Sequence, residues 1–170
     1  MSTTRTPPAR PFDDPYLLEY SAEHVKYEFD MFLWLAQVCG NSAVRLGAPS
    51  AADGNRLSNV LIESFAVHVR NVIDFLYLGN PKPTDVVAAD FFASEEWAKI
   101  RPCISPRLSA ARVRANKEIA HLTTDRITGS PPEKVWDFAG LATEIRPLMR
   151  LVATNALASR LSPNVAAAIR

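Results

Sequence analysis

The chain of 170 residues is 48% hydrophobic and 22% charged, and its formal net charge is +1. This composition is typical of a one-domain globular protein, and the near-neutral charge excludes the basic surface of a protein that coats nucleic acid. Because only six residues are glycine and long segments lack turn signals, we predict an all-α fold, an up-and-down bundle of four long helices plus short helices.

The first 14 residues differ from the rest in composition. They are rich in Thr, Pro and Arg, and Pro7, Pro8 and Pro11 oppose a helix. We therefore predict a disordered or extended arm over residues 1–14 and a single helical-bundle domain over residues 15–170.

Two long helices follow the arm. Apolar residues at helical spacing predict the first between about residues 15 and 39. The second is predicted over about residues 54–78, with Gly79 as its C-terminal cap. Its apolar residues, which include Leu57 and Val60, cover a wide arc, so we expect this helix at the centre of the bundle.

The second half of the chain contains two more long helices. Ser105-Pro106 predicts the start of the third, which runs to about residue 123. Ser130-Pro131-Pro132-Glu133 has the pattern of a capping box and predicts the start of the fourth. Shorter helices are predicted to follow Ser94 and Ser162.

The cysteines bear on location and cofactors. Cys39 and Cys103 match no metal-binding or redox spacing, so we expect reduced thiols, no metal and no cofactor. No apolar run reaches the length of a membrane-spanning helix, and the N-terminus has no apolar signal core. These features predict a cytoplasmic protein without membrane contact.

Reactive side chains crowd together in the third predicted helix, in the segment Arg114-Ala-Asn-Lys-Glu-Ile-Ala-His121. Arg114 and His121 are seven residues apart, almost two helical turns, so both project from the same face. A guanidinium and an imidazole on one face can bind a phosphate and transfer a proton beside it.

The surroundings of this segment are basic in the sequence. The nearby acids are chiefly Glu118 and Asp125. We therefore expect a local basic patch that can position a phosphate backbone. Its members are Lys99, Arg101, Arg107, Arg112, Arg114, Lys117 and Arg126.

A second polar group occurs on the second predicted helix. Glu63, Arg70 and Asp74 are seven and four residues apart, so they share one face. Two interpretations remain open: an ionic pair at the edge of the helix, or the second wall of a polar site.

The segment from Arg114 to His121, within a late helix of a small helical bundle, resembles the signature of the HEPN superfamily. That signature is an arginine and a histidine a few residues apart, often accompanied by Asn-Lys and Ala-His. The resemblance covers one helix and, in outline, the bundle. It implies an all-α fold and a homodimer in which two motifs meet in one cleft. It also implies, for many members, a metal-independent endoribonuclease of a toxin–antitoxin or phage-defence system.

The resemblance also implies roles for individual residues. Arg114 would bind the scissile phosphate, and His121 would act as general acid or base on the ribose 2′-hydroxyl or the leaving oxygen. Lys117 would attract phosphate, and Glu118 would hold the guanidinium. Asn116 is assigned an interface or packing role. The implied partners are RNA and an antitoxin protein, and cleavage through a 2′,3′-cyclic phosphate needs no metal.

Two other functions remain open. A non-catalytic HEPN-like binding or oligomerisation module would use Arg114 and His121 in internal hydrogen bonds, with Glu63, Arg70 or Asp74 as partners. A small-molecule-binding bundle would line a pocket with aromatic side chains of the first two helices. These aromatic residues are Phe29, Phe32, Trp34, Phe65 and Phe75.

Overall fold

The structure is a computed structural model that describes residues 10–41, 50–120 and 136–169. Every regular element in these ranges is helical and none is a strand, which confirms the predicted all-α class. Across the same ranges, no helix is both long enough and apolar enough to cross a membrane.

The described elements follow one another as helices and short helical turns. In chain order they are α1 (Asp14–Tyr20), a π-helical segment (Ser21–Val25), α2 (Lys26–Gly40), α3 (Ala51–Tyr77), a 3₁₀ turn (Ala88–Phe91), α4 (Glu96–Ile100), α5 (Pro106–Ala120), α6 (Phe138–Asn155) and α7 (Pro163–Ala168). The four long helices α2, α3, α5 and α6 form the predicted bundle.

Aromatic side chains join these helices in one core. Phe65 of α3 is fully buried, and its ring centroid lies 5.8 Å from that of Phe32, 5.6 Å from Trp136 and 4.8 Å from Phe138. Because α3 meets α2 and the start of α6 at this one residue, it occupies the central position that its apolar arc predicts.

The first turns of α3 differ from the prediction. The helix begins at Ala51, earlier than expected, because the Ser50 hydroxyl accepts a hydrogen bond from the Asp53 backbone N–H. Leu57 and Val60 are 37% and 58% exposed, so this part of the apolar arc is not buried by the described residues. Apolar spacing identifies a face that can pack, but burial also requires a neighbour on that face.

The end of α3 also differs, and the prediction that Gly79 caps the helix is wrong. The helix ends at Tyr77, and Leu78 has an extended conformation with φ −62° and ψ 113°. No described glycine has a positive φ, the conformation for which a glycine cap is favoured. The chain instead leaves α3 into the loop of residues 78–87.

The predicted arm includes residues that belong to the folded unit. Phe12 is buried in the core, and the Arg10 guanidinium forms an ion pair with Asp90. Residues 10–13 are therefore docked on the bundle, because this aromatic ring and this guanidinium both find partners there. Residues 1–9 of the predicted arm lie outside the described part of the chain.

The fourth long helix begins at Phe138, later than predicted, because Trp136 and Asp137 before it are not helical. The Asp137 carboxylate caps it by accepting a hydrogen bond of 2.9 Å from the Gly140 backbone N–H. The capping box predicted at Ser130 to Glu133 lies outside the described residues.

The two predicted short helices have different outcomes. Ser162 precedes α7, and its hydroxyl accepts a hydrogen bond from the Asn164 backbone N–H, which confirms the predicted cap. The residue that precedes α4 is Glu95 rather than Ser94, and its φ of 61° lies in the left-handed region. The prediction of a Ser94 cap is therefore wrong.

Candidate functional site

Helix α5 presents two different edges through neighbouring arginines. Arg112 and Arg114 are two residues apart, about 200° around a helix, so their side chains point to opposite edges. Arg112 donates from Nε to the Asp74 carboxylate of α3 at 2.5 Å. The Arg114 guanidinium carbon lies 4.1 Å from the centre of the Trp136 ring. Ala115 lies on the helix face between these two edges, where it is completely buried in the core.

The edge that carries Arg114 faces the start of α6. Arg107 lies seven residues earlier on the same edge, and its Nη1 donates to the Glu144 carboxylate at 2.9 Å. The Arg107 Nε also lies 3.4 Å from the Asp137 carboxylate. Arg114 itself is partly buried, and the Trp136 ring covers its planar group. This edge therefore holds its arginines in defined positions.

The partner predicted for Arg114 cannot be placed. His121 lies outside the described residues, as does the side chain of Glu118. The helix is continuous from Arg114 to Ala120, and Lys117 is exposed on it. The convergence of Arg114 and His121 therefore stays a prediction.

The second polar group of the sequence forms a cluster on the other edge. The Arg70 Nε lies 3.6 Å from the Asp74 carboxylate, and Arg112 binds the same carboxylate more closely. Glu63 is exposed. The structure thus brings Arg70 and Asp74 together as an ionic pair and adds Arg112, whereas the contact described for Arg114 is on the opposite edge of α5.

The basic patch predicted around α5 is neutralised at two of its members, so that prediction is wrong for Arg107 and Arg112. Arg112 pairs with Asp74, and Arg107 pairs with Glu144. Arg101 donates to the Leu76 carbonyl oxygen at 2.9 Å. These partners are far away in the sequence, and counting only the neighbouring acids could not identify them.

A groove of about 630 Å³ lies between α2, α3, α5 and the loop of residues 78–87. This volume is within the range of small-molecule sites in proteins. Its charged and amide lining includes Glu28, Arg70, Asp74, Lys82, Arg112 and Asn116. Among the residues predicted for the site, Asn116, Arg70 and Asp74 therefore border one common space.

A buried histidine of α3, which the sequence did not assign to a site, binds a carboxylate of α2 that lines the groove. His68 is 7% exposed, and its Nδ1 donates to the Glu28 carboxylate at 2.7 Å. The other carboxylate oxygen of Glu28 accepts a hydrogen bond of 3.2 Å from the Asn71 amide. The contact joins residues 40 positions apart, so helical spacing could not reveal it.

Tyr20 and His24 also line the groove, and their ring centroids are 4.8 Å apart. Burial raises the pKa of the Tyr20 phenol from its ordinary value of 10.0, so the hydroxyl remains protonated at neutral pH. The π-helical segment between the two rings is anchored because Ser21 accepts a 2.8 Å hydrogen bond from the Ser162 backbone N–H. The groove thus has one aromatic, hydrogen-bonding wall.

The aromatic pocket considered from the sequence is mostly packed core. Phe32 and Phe65 are fully buried against each other, whereas Trp34 is about half exposed. Phe29 and Phe75 contribute to both the core and the lining of the groove.

No group of three His, Cys, Asp or Glu side chains in the described ranges is arranged to hold a metal ion. No protein-family model, curated protein or solved structure matches this chain. The two edges of α5 must therefore be interpreted from their own chemistry.

Proposed function

We propose that this chain is a HEPN-like RNA-binding protein and a metal-independent endoribonuclease. Arg114 binds the scissile phosphate, and His121 acts as general acid or base. The observation that supports this proposal best is the position of Arg114, whose guanidinium carbon lies over the Trp136 ring, 4.1 Å from its centre.

The contact of Arg114 with the Trp136 ring suits it to phosphate binding. An aromatic ring contacts the face of a guanidinium, whereas the N–H donors point outward in its plane. A guanidinium fixed in this way loses less conformational freedom when it binds a phosphate, and a planar pair of N–H groups can donate to two phosphate oxygens. Its partial burial strengthens the electrostatic interaction relative to bulk water.

The proposed reaction needs only these side chains and the RNA. A base removes the proton of the ribose 2′-hydroxyl, the 2′-oxygen attacks phosphorus, and the bond from phosphorus to the 5′-oxygen breaks. The leaving 5′-oxygen takes up a proton, and the products are a 2′,3′-cyclic phosphate and a 5′-hydroxyl. His121 supplies one of the two proton transfers, because an imidazole changes its charge near neutral pH. Arg114 stabilises the negative charge that develops on the phosphate oxygens.

Cleavage of a labelled single-stranded RNA in the presence of EDTA tests this proposal. The rate should fall about 100-fold to 10,000-fold in His121→Ala and about 100-fold to 1,000-fold in Arg114→Ala. Arg150→Ala is the matched control, because Arg150 is exposed on α6 and should leave the rate unchanged. A wild-type protein without activity, or an unchanged rate in His121→Ala, would contradict the catalytic role.

A homodimer, an antitoxin protein partner and a cytoplasmic location belong to the same proposal. Exposed apolar side chains support the dimer: Tyr27 and Trp34 are seven residues apart on α2, and Val60 and Val67 are seven apart on α3. A second copy could cover both stripes in a four-helix arrangement. The free thiols of both cysteines are compatible with a reducing compartment.

The alternative is a non-catalytic HEPN-like helical module for binding or oligomerisation. The exposed Trp34 and Val60 suit it as well, because such side chains serve association whether or not the protein cleaves RNA. This alternative predicts a dimer that retains RNA intact under the conditions of the cleavage assay. Light scattering gives the stoichiometry, and the same assay separates the two functions.

A further inference from the structure

The groove between α2, α3 and α5 contains carboxylates that are already engaged. Glu28 accepts hydrogen bonds from His68 and Asn71. Asp74 accepts one from Arg112, and the Asp85 carboxylate accepts one of 2.7 Å from the backbone N–H of Lys82. The acceptors of the groove are therefore largely satisfied by the protein itself.

The cations of the same groove keep unused donors. Within the described part of the chain, Arg112 makes one hydrogen bond, through Nε, although a guanidinium has five N–H donors. Arg70 makes only the 3.6 Å ion pair with Asp74, and its Nε has no hydrogen-bond partner among the described residues. The Lys82 ammonium likewise contacts no described acceptor, so the groove has an excess of hydrogen-bond donors.

The charge balance distinguishes this groove from a nucleic-acid surface. Its lining carries the cations Arg70, Lys82 and Arg112 and an equal number of carboxylates. A polymer with a negative charge on every nucleotide gains little from a neutral lining. A single anionic group can still be bound closely, because Arg70 and Arg112 converge on Asp74 and share its one negative charge.

The remaining side chains that line the groove suit a ligand that is rich in hydroxyl groups. The amide of Asn116 and the hydroxyls of Tyr20 and Thr84 can each donate and accept hydrogen bonds. The Tyr20 ring adds a flat surface of the kind on which a sugar ring can pack. Apolar lining is present but does not dominate the chemistry, because seven of the lining side chains are charged or imidazole groups.

We propose that the groove is a binding site for a small phosphorylated sugar or polyol, with the phosphate bound by the N–H groups of Arg70 and Arg112 that do not contact Asp74 and the hydroxyl groups near Asn116 and Tyr20. The site is separate from the Arg114 edge of α5. It does not depend on the proposed ribonuclease activity.

Calorimetric titration of the full chain tests this site, with ribose 5-phosphate and glucose 6-phosphate as ligands and ribose, glucose and inorganic phosphate as comparisons. A sugar phosphate should bind more tightly than its free sugar or phosphate alone. Arg70→Gln should weaken this binding about 10-fold to 100-fold, because charged hydrogen bonds are lost. Arg56→Gln is the matched control, since Arg56 is 80% exposed in the first turns of the same helix and pairs with Asp53.

Three results would overturn the proposal: no binding of any sugar phosphate, equal affinity for the unphosphorylated sugar, or unchanged affinity in a folded Arg70→Gln. Circular dichroism establishes that the variant is folded.

The assignment to a site separate from the Arg114 edge has its own test. Arg114→Ala should bind the sugar phosphate as the wild type does, and Arg70→Gln should cleave RNA at the wild-type rate. Loss of RNA cleavage in Arg70→Gln would assign the groove to the RNA site instead.

Discussion

Asp14 illustrates how a single residue ties the start of the chain to its end. Its carboxylate accepts hydrogen bonds of 2.6 Å from the Ser159 hydroxyl and 2.7 Å from the Arg160 Nε. These bonds lower the pKa of Asp14 below its ordinary value of 3.8. A carboxyl group with a lowered pKa in the folded state stabilises the fold above the unfolded pKa, and this contribution is lost as the pH falls through the folded pKa.

The variant Asp14→Asn should therefore be less stable than the wild type at neutral pH. The difference in unfolding free energy should shrink as the pH falls below 3.8, because the wild-type carboxyl group then becomes neutral, as the asparagine amide already is. Urea unfolding of both proteins over this pH range measures the effect. A difference in unfolding free energy that stays constant down to low pH would contradict the assigned cause.

The sequence could identify some single residues but not their partners. Arg114 stands out in the sequence because it is seven residues from His121, and the structure places it on a helix. Its position over the Trp136 ring could not be predicted, because the two residues lie in separate segments of the chain. The pairing of His68 with Glu28 escaped the sequence analysis for the same reason.

At the scale of elements, α3 combines a central core segment with exposed first turns. Phe65→Ala should lower the unfolding free energy by about 3–5 kcal/mol, because it leaves a cavity among the rings of Phe32, Trp136 and Phe138. Asn59→Ala is the control on the same helix and should change it by less than about 0.5 kcal/mol, since Asn59 is exposed. Equal losses in chemical denaturation would contradict this division of the helix.

The helices were predictable as elements because their apolar residues recur at helical spacing, but several of their ends were not. Ser50 caps α3 three residues before Asp53, a short polar pattern that predicts an earlier start than the apolar spacing, which indicated about residue 54. The end of α3 depends on how the following loop packs, so Gly79 was a misleading signal. Ser162 was reliable because its cap is entirely local.

At the scale of the whole molecule, the fold separates charged side chains that are close together in the sequence. The arginines of α5 are close together in the chain, but Arg107 pairs with α6 and Arg112 pairs with α3. A continuous basic patch is thereby divided into two edges with different chemistry. The groove on the Arg112 edge could not be predicted, because residues 20–28, α3, the loop after it and α5 all contribute to it.

The proposed function depends on the binding of RNA phosphates at the Arg114 edge of α5. The most direct measurement is the salt dependence of binding to a fluorescent single-stranded RNA, made in a His121→Ala background so that the RNA stays intact. Adding Arg114→Ala should weaken binding and reduce the slope of log K against log salt by about 0.7, the value for one phosphate contact on a single strand. Adding Arg150→Ala should leave the slope unchanged. An identical slope with and without Arg114 would contradict binding at this edge.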